Sequence, residues 1–215
     1  MIKKKSISIT KTARYFFNEI DYKKVTTVVF ALHGYGYLAK KFLRKLDFLT
    51  SESTLVVCPE GLSRFYFNNF SGKVAASWMT KEDRLDEIND YCNYLNTVFD
   101  TIKPNINKNI RIVVLGFSQG TTTMCRWISK DYFKISDIIF CSGDIPEDVN
   151  YTQSKNFTNA NTYYLYGDKD VFLTKKVIEK IKIKIEKSGF RPKIKKFNGS
   201  HQIDEKSILE IIKKY

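Results

Sequence analysis

The sequence predicts an α/β fold, a mostly parallel central sheet flanked by helices on both faces, from three observations. Short β-branched runs alternate with amphipathic stretches along the whole chain, the pattern of strands joined by crossover helices. Two of the runs, Thr26–Leu32 and Ile110–Leu115, are nearly continuous in apolar residues, as buried parallel strands are. The length of 215 residues, without internal repeat, low-complexity linker or Pro-rich break, suits one domain over residues 1–215.

Taken in order, Lys5–Thr10 and Arg14–Phe17 read as an antiparallel start, and Thr26–Leu32 as the first buried strand. Leu38–Leu49 follows as a helix and Thr54–Cys58 as a strand. Gly61–Ser77 reads as a loop rich in aromatics, with Phe65, Tyr66, Phe67 and Phe70. Thr80 stands as an N-cap with a capping-box acid after it. Beyond it Leu85, Ile88, Cys92, Leu95, Phe99 and Ile102 recur at the spacing of one helix face, and Pro104 stops the helix. Strand Ile110–Leu115, helix Thr121–Ser129 and strands Ser136–Cys141 and Thr162–Tyr166 come next. Lys175–Lys187 fits helix and strand periods alike; its length and the Ser188-Gly189 stop favour a helix. Lys193–Phe197 closes the sheet, and Ile203–Lys214 is a final amphipathic helix.

Composition narrows the function. Hydrophobic residues make up 43% and charged residues 27%, ordinary for a globular chain. The basic start Met1–Lys5 is followed by alternating Ser and Ile rather than an apolar core, so no secretory signal is read and a cytoplasmic protein is expected. No apolar run is long enough to span a bilayer. The net charge of +13 comes from lysines scattered end to end, which gives weak anionic-surface contact and no specific nucleic-acid partner. Cys58, Cys92, Cys125 and Cys141 sit in or beside apolar stretches and read as buried reduced thiols. With 2 His and no C-x-x-C pair no metal site is expected, and with no P-loop or Rossmann glycine fingerprint no cofactor is expected.

Chemistry concentrates in Gly116-Phe117-Ser118-Gln119-Gly120, which lies between a strand and a helix. In that setting G-x-S-x-G is a nucleophile elbow: the turn is so tight that the flanking residues must be tiny, and it lifts the serine hydroxyl onto a helix N-terminus. A serine needs a base, and only His201 follows Ser118, as the chain order serine, acid, histidine requires; His33 in its His-Gly-Tyr-Gly turn suits shaping the backbone. The acid comes from Gly167-Asp168-Lys169-Asp170. Asp168 is placed to cap its own turn, so Asp170 is the candidate that reaches His201. The backbone amides of Tyr35 and Gln119 are the candidate oxyanion hole. Phe65, Phe67 and Trp78 either wall an acyl pocket or form a flap packed on the core.

These segments resemble the phospholipase/carboxylesterase group of α/β-hydrolases, which includes the acyl-protein thioesterases. Leu32–Gly36, Gly116–Gly120, Gly167–Asp170 and Gly199–His201 stand in that family's order, with Ser77-Trp78 and Cys141–Gly143 as weaker matches. The resemblance implies an α/β-hydrolase fold without a large cap and a triad of Ser118, Asp170 and His201. Departures fall on the substrate side: Tyr37-Leu38 replaces the acid that usually follows the first turn, Val171–Leu173 replaces a proline, and Arg64–Lys73 is unusually basic and aromatic. The expected activity is hydrolysis of small to medium acyl esters through an acyl-enzyme. Thioester or lysophospholipid hydrolysis, amide hydrolysis and a silent binding fold stand as alternatives.

Overall fold

The computed structural model describes residues 1–213. In chain order its elements are β1 (Tyr15–Phe17), β2 (Thr27–Leu32), α1 (Ala39–Arg44), β3 (Thr54–Pro59), β4 (Ser63–Tyr66), β5 (Val74–Ser77), α2 (Arg84–Ile102), β6 (Arg111–Phe117), α3 (Gln119–Ile128), β7 (Asp137–Cys141), α4 (Lys155–Asn159), β8 (Asn161–Gly167), α5 (Lys175–Lys187), β9 (Lys193–Phe197) and α6 (Glu205–Ile212). The main sheet runs β1-β3-β2-β6-β7-β8-β9. Only β1 is antiparallel to its neighbour, so the other six strands direct their carboxyl ends to one edge.

Alternation along the strands builds two cores. In β2, Val28, Phe30 and Leu32 join the cluster formed with α2, α3 and α5. Val29 and Ala31 face the opposite cluster with α1 and α6. Helices therefore cover both faces, and no large cap is present among the described residues. At the amino edge of the sheet, Arg111 pairs with buried Asp137 at 2.8 Å and donates to the carbonyls of Ile211 and Ile212, fixing the last turn of α6.

Several elements differ from the sequence expectation. Lys5–Thr10 forms no strand; Ile7 and Ile9 are exposed, since alternation without a paired neighbour gives no ladder. The expected loop Gly61–Ser77 contains the β4–β5 hairpin, paired from Ser63↔Ser77 to Tyr66↔Val74. The expected helix Leu38–Leu49 is split into α1 and a 3₁₀ turn at Asp47–Leu49. Thr80 caps no helix: its amide and hydroxyl bind the Glu87 carboxylate, and α2 starts four residues later. Leu85, expected on the buried face, is 69% exposed because it lies in the first turn of α2, whereas Tyr91 and Val98 join the core. The short helix α4 has no counterpart in the sequence reading; it is capped by Asp131, which accepts from Ser154, Lys155 and Asn156. Lys175–Lys187 is a helix, with Ile178, Ile181 and Ile185 buried and Ile183 left out at 49% exposure. Of the expected helix Ile203–Lys214, Glu205–Ile212 is helical and Lys214 lies outside the described residues.

Candidate active site

The carboxyl edge of the sheet gathers the sequence-predicted residues. At the end of β6, Ser118 has φ +52° and ψ −118°, and α3 begins at the next residue. A side chain of this kind stays in the left-handed half of the map only when its surroundings force it there, at about 1–3 kcal/mol. The surroundings here are bare backbone. A Cβ on Gly120 would lie 2.1 Å from the Leu32 carbonyl oxygen, and one on Gly116 would lie 2.6 Å from that of Gly120. Gly34, after β2, also lies close, though less tightly: a Cβ there would meet that of Ser118 at 3.1 Å.

Neighbouring strand ends are tied together in sequence. The Ser118 amide donates to Cys141 of β7 at 2.9 Å, Ser142 to Leu165 of β8 at 2.9 Å, and Asp168 to Phe197 of β9 at 2.9 Å. Ser142 also has a positive φ of 48°. A stepwise chain of hydrogen bonds thus runs from Ser118 to the loop that carries His201.

In that loop His201 Nδ1 lies 2.7 Å from Asp170 Oδ2. The other oxygen of Asp170 accepts from the amides of Phe172 (2.8 Å) and Leu173 (3.0 Å), and the carboxylate is fully buried. Asp168 does something else: it accepts from the Gly199 amide at 3.1 Å, while Lys169 donates to the Gly199 carbonyl at 2.9 Å. The two loops therefore close on each other, with a Cβ on Gly167 only 2.3 Å from the Gly199 oxygen. The His201 ring packs between Phe117, beside Ser118, at 5.1 Å and Phe172 at 4.8 Å. Ser118 Oγ itself makes no hydrogen bond among the described residues. With Nδ1 committed to Asp170, Nε2 is the ring nitrogen left for other chemistry.

The Tyr35 and Gln119 amides have no protein acceptor among the described residues. Gln119 heads the ten-residue helix α3, so its amide has no partner within the helix. The other histidine is structural. His33 is fully buried, Nδ1 donates to the Gly34 carbonyl at 2.8 Å, and Nε2 accepts from Gly61 at 2.9 Å. Burial lowers its pKa to about 4, so the ring is neutral.

The aromatic candidates part company. Trp78 is a core residue, 1% exposed, its indole N–H donating to the His33 carbonyl at 2.8 Å, and its ring is not a wall of an open cleft. Phe65 stacks on Tyr35 at 5.2 Å and on Phe67 at 6.3 Å, a surface ladder beside the first turn, and Phe67 covers Gly36. The Gln119 side chain, for which the sequence suggested no role, accepts from the Trp78 amide and donates to the Met79 carbonyl.

Among the described residues no group of His, Cys, Asp and Glu is arranged to hold a metal ion, and no helix is long and apolar enough to cross a membrane. The four cysteines are free and buried. Burial raises the thiol pKa of Cys92 to about 11 and those of Cys125 and Cys141 to about 12, and lifts Cys58 further.

A family model for phospholipase/carboxylesterase matches residues 16–215. No match is found among curated proteins. Among solved structures, a Zea mays acyl-protein thioesterase 2 is similar with a TM-score of 0.68 at 17% identity, covering 94% of this chain and 97% of that one. Esterase PE8 gives 0.67 at 18% identity, covering 94% and 98%. A Bacillus cereus carboxylesterase gives 0.58 at 14% identity, covering 93% and 91%. At these identities the structural likeness speaks for the α/β-hydrolase fold.

Proposed function

Because the chain belongs to the phospholipase/carboxylesterase family, we propose that it is a serine carboxylesterase that hydrolyses small to medium acyl esters with Ser118, His201 and Asp170. The observation that carries this reading is the 2.7 Å contact between Asp170 and His201 Nδ1, made by two loops tied back to the strand end that bears Ser118.

The proposed steps use these three residues in turn. Asp170 holds the Nδ1–H tautomer, so Nε2 is the base that takes the Ser118 proton as Oγ attacks the ester carbonyl. The tetrahedral oxyanion is held by the Tyr35 and Gln119 amides, helped by the positive end of α3. His201, now protonated, delivers the proton to the leaving alkoxide, and the alcohol departs. Water then attacks the acyl-enzyme with Nε2 again as base, releasing the acid and restoring Ser118. The missing Ser118–His201 hydrogen bond is in keeping with a site that tightens only around substrate. The Tyr35–Phe65–Phe67 ladder offers apolar surface beside the oxyanion amides for an acyl chain.

A second reading, thioester or lysophospholipid hydrolysis by the same residues, draws on exposed Phe172 beside His201, on its exposed chain neighbour Val171 and on the +13 charge, which favour an anionic, lipid-like substrate. Hydrolysis of short and medium p-nitrophenyl acyl esters tests the first reading: wild type turns over and Ser118→Ala falls to background. A folded wild type that is inert on these esters but labelled at Ser118 by a fluorophosphonate moves the substrate to the second reading. A folded wild type neither active nor labelled overturns both.

A further inference from the structure

The two amides assigned to the oxyanion come from segments far apart in sequence, the turn after β2 and the elbow after β6. Something must fix their separation, since an oxyanion donor works only within a few tenths of an ångström of its place. Both segments are fastened to one short stretch, the end of β5 and the residues just after it.

On the first side, the Gly36 amide donates to the Ala76 carbonyl at 3.0 Å, and the Trp78 indole donates to the His33 carbonyl at 2.8 Å. Those two bonds grip the turn on either side of Tyr35. His33 stiffens the same turn from within: its ring donates to the Gly34 carbonyl and accepts from Gly61. On the second side, Gln119 Oε1 accepts from the Trp78 amide at 3.2 Å, and Nε2 donates to the Met79 carbonyl at 3.0 Å. Ser77 Oγ lies within 3.4 Å of the same carboxamide and 3.1 Å from the Met79 carbonyl, closing the ring of contacts. Trp78 thus binds the His33 turn with its side chain and Gln119 with its backbone.

We propose that Gln119, through its side chain, and Trp78 are positioning residues that brace the oxyanion hole, setting the distance between the Tyr35 and Gln119 amides. The inference rests on the serine-esterase reading above. A carboxamide suits the task because it gives one acceptor and donors in a fixed plane, matching the Trp78 amide and Met79 carbonyl presented just after β5. A merely structural glutamine would contribute to stability and leave the transition state untouched. A brace acts where charge develops, so its loss lowers kcat and spares ground-state binding.

The test uses Gln119→Met, which keeps length and bulk, and Trp78→Phe, which keeps a ring and removes the indole N–H. Both are assayed on p-nitrophenyl butyrate per active site titrated with a fluorophosphonate, so misfolded protein is not counted. Inhibition by an aryl trifluoromethyl ketone, whose hemiketal carries an oxyanion, is measured in parallel. The expected result is a fall in kcat on the order of ten- to a hundredfold, KM within about twofold, and a matching loss of ketone affinity. The double variant should lose less than the product of the two, because both act through one brace. Wild-type kcat per titrated site in both variants overturns the proposal, as does a loss of kcat with ketone affinity unchanged. Ser118→Ala separates the premises: if it retains turnover, the esterase reading fails and this one with it. If it is inert while Gln119→Met is fully active, only the brace is lost.

Discussion

Asp170 divides its carboxylate between two tasks, one oxygen on His201 Nδ1 at 2.7 Å and the other on the amides of Phe172 and Leu173. The second set of bonds immobilises the first. Asp170→Asn keeps the shape but presents an N–H or a poorer acceptor to the ring, which favours the wrong tautomer. The expected effect is a fall in kcat of about 10⁴-fold with the fold intact. Asp168→Ala, which removes only the bond to Gly199, should cost far less activity; equal losses in the two variants contradict the division of labour.

His33 makes stability depend on pH. Its folded pKa of about 4 lies below the ordinary 6.5, so the unfolded chain binds the extra proton first. Its contribution is present in full above pH 6.5 and is lost as pH falls from there towards about 4, for a total of about 3 kcal/mol. Urea midpoints from pH 7 down to pH 4.5 should fall, and the His33 ring resonances should stay those of a neutral imidazole until close to pH 4. A ring that titrates near pH 6.5 in folded protein contradicts this.

The thiols should be silent. Burial keeps Cys58, Cys92, Cys125 and Cys141 protonated, so Ellman's reagent should find no reactive thiol in folded protein and all 4 in denaturant. Iodoacetamide should leave esterase turnover unchanged. Rapid labelling with loss of activity points to a cysteine at the site instead.

Gly120→Ala should be among the most damaging single changes outside the reactive groups. The added Cβ meets the Leu32 carbonyl oxygen at 2.1 Å, backbone that cannot swing aside. A stability loss above about 3 kcal/mol is expected, together with loss of fluorophosphonate labelling in whatever folds.

Helix α2 offers a paired comparison. Leu95 is fully buried and Leu85 is 69% exposed. Leu95→Ala should cost about 2–5 kcal/mol, and Leu85→Ala should stay within about 0.5 kcal/mol. Chemical denaturation of the two variants checks it; equal costs would place Leu85 in the core after all.

The buried strands and most helices were legible because burial on both faces leaves long apolar runs, as in β2 and β6; the order of the strands across the sheet came only with the structure. Ser118 and His201 stand out in the sequence as the proposed nucleophile and base because that chemistry fixes both residue types and chain order. Asp170 was separable from Asp168 by its distance from the strand end, and the structure brings Asp170, not Asp168, to His201. The β4–β5 hairpin was not legible: each strand has four residues and is specified by its partner more than by itself. Thr80 misled because its cap-like hydrogen bonds go to Glu87 without starting a helix there. Gln119's side-chain role carries no local pattern, since the Trp78 amide it holds is 41 residues away.

The stepwise bonds from Ser118 to Cys141, Ser142 to Leu165 and Asp168 to Phe197 tie the proposed reactive groups to the strand ends of the sheet. The base of the aromatic hairpin is fastened to the Gly36 turn and to Gln119, while its tip, Tyr66–Lys73, is hydrogen-bonded to neither. Insertions or substitutions at that tip can accumulate in a lineage without disturbing the alignment of the proposed nucleophile Ser118 and base His201. New specificities are then reachable by small steps, each of which leaves a working hydrolase behind it.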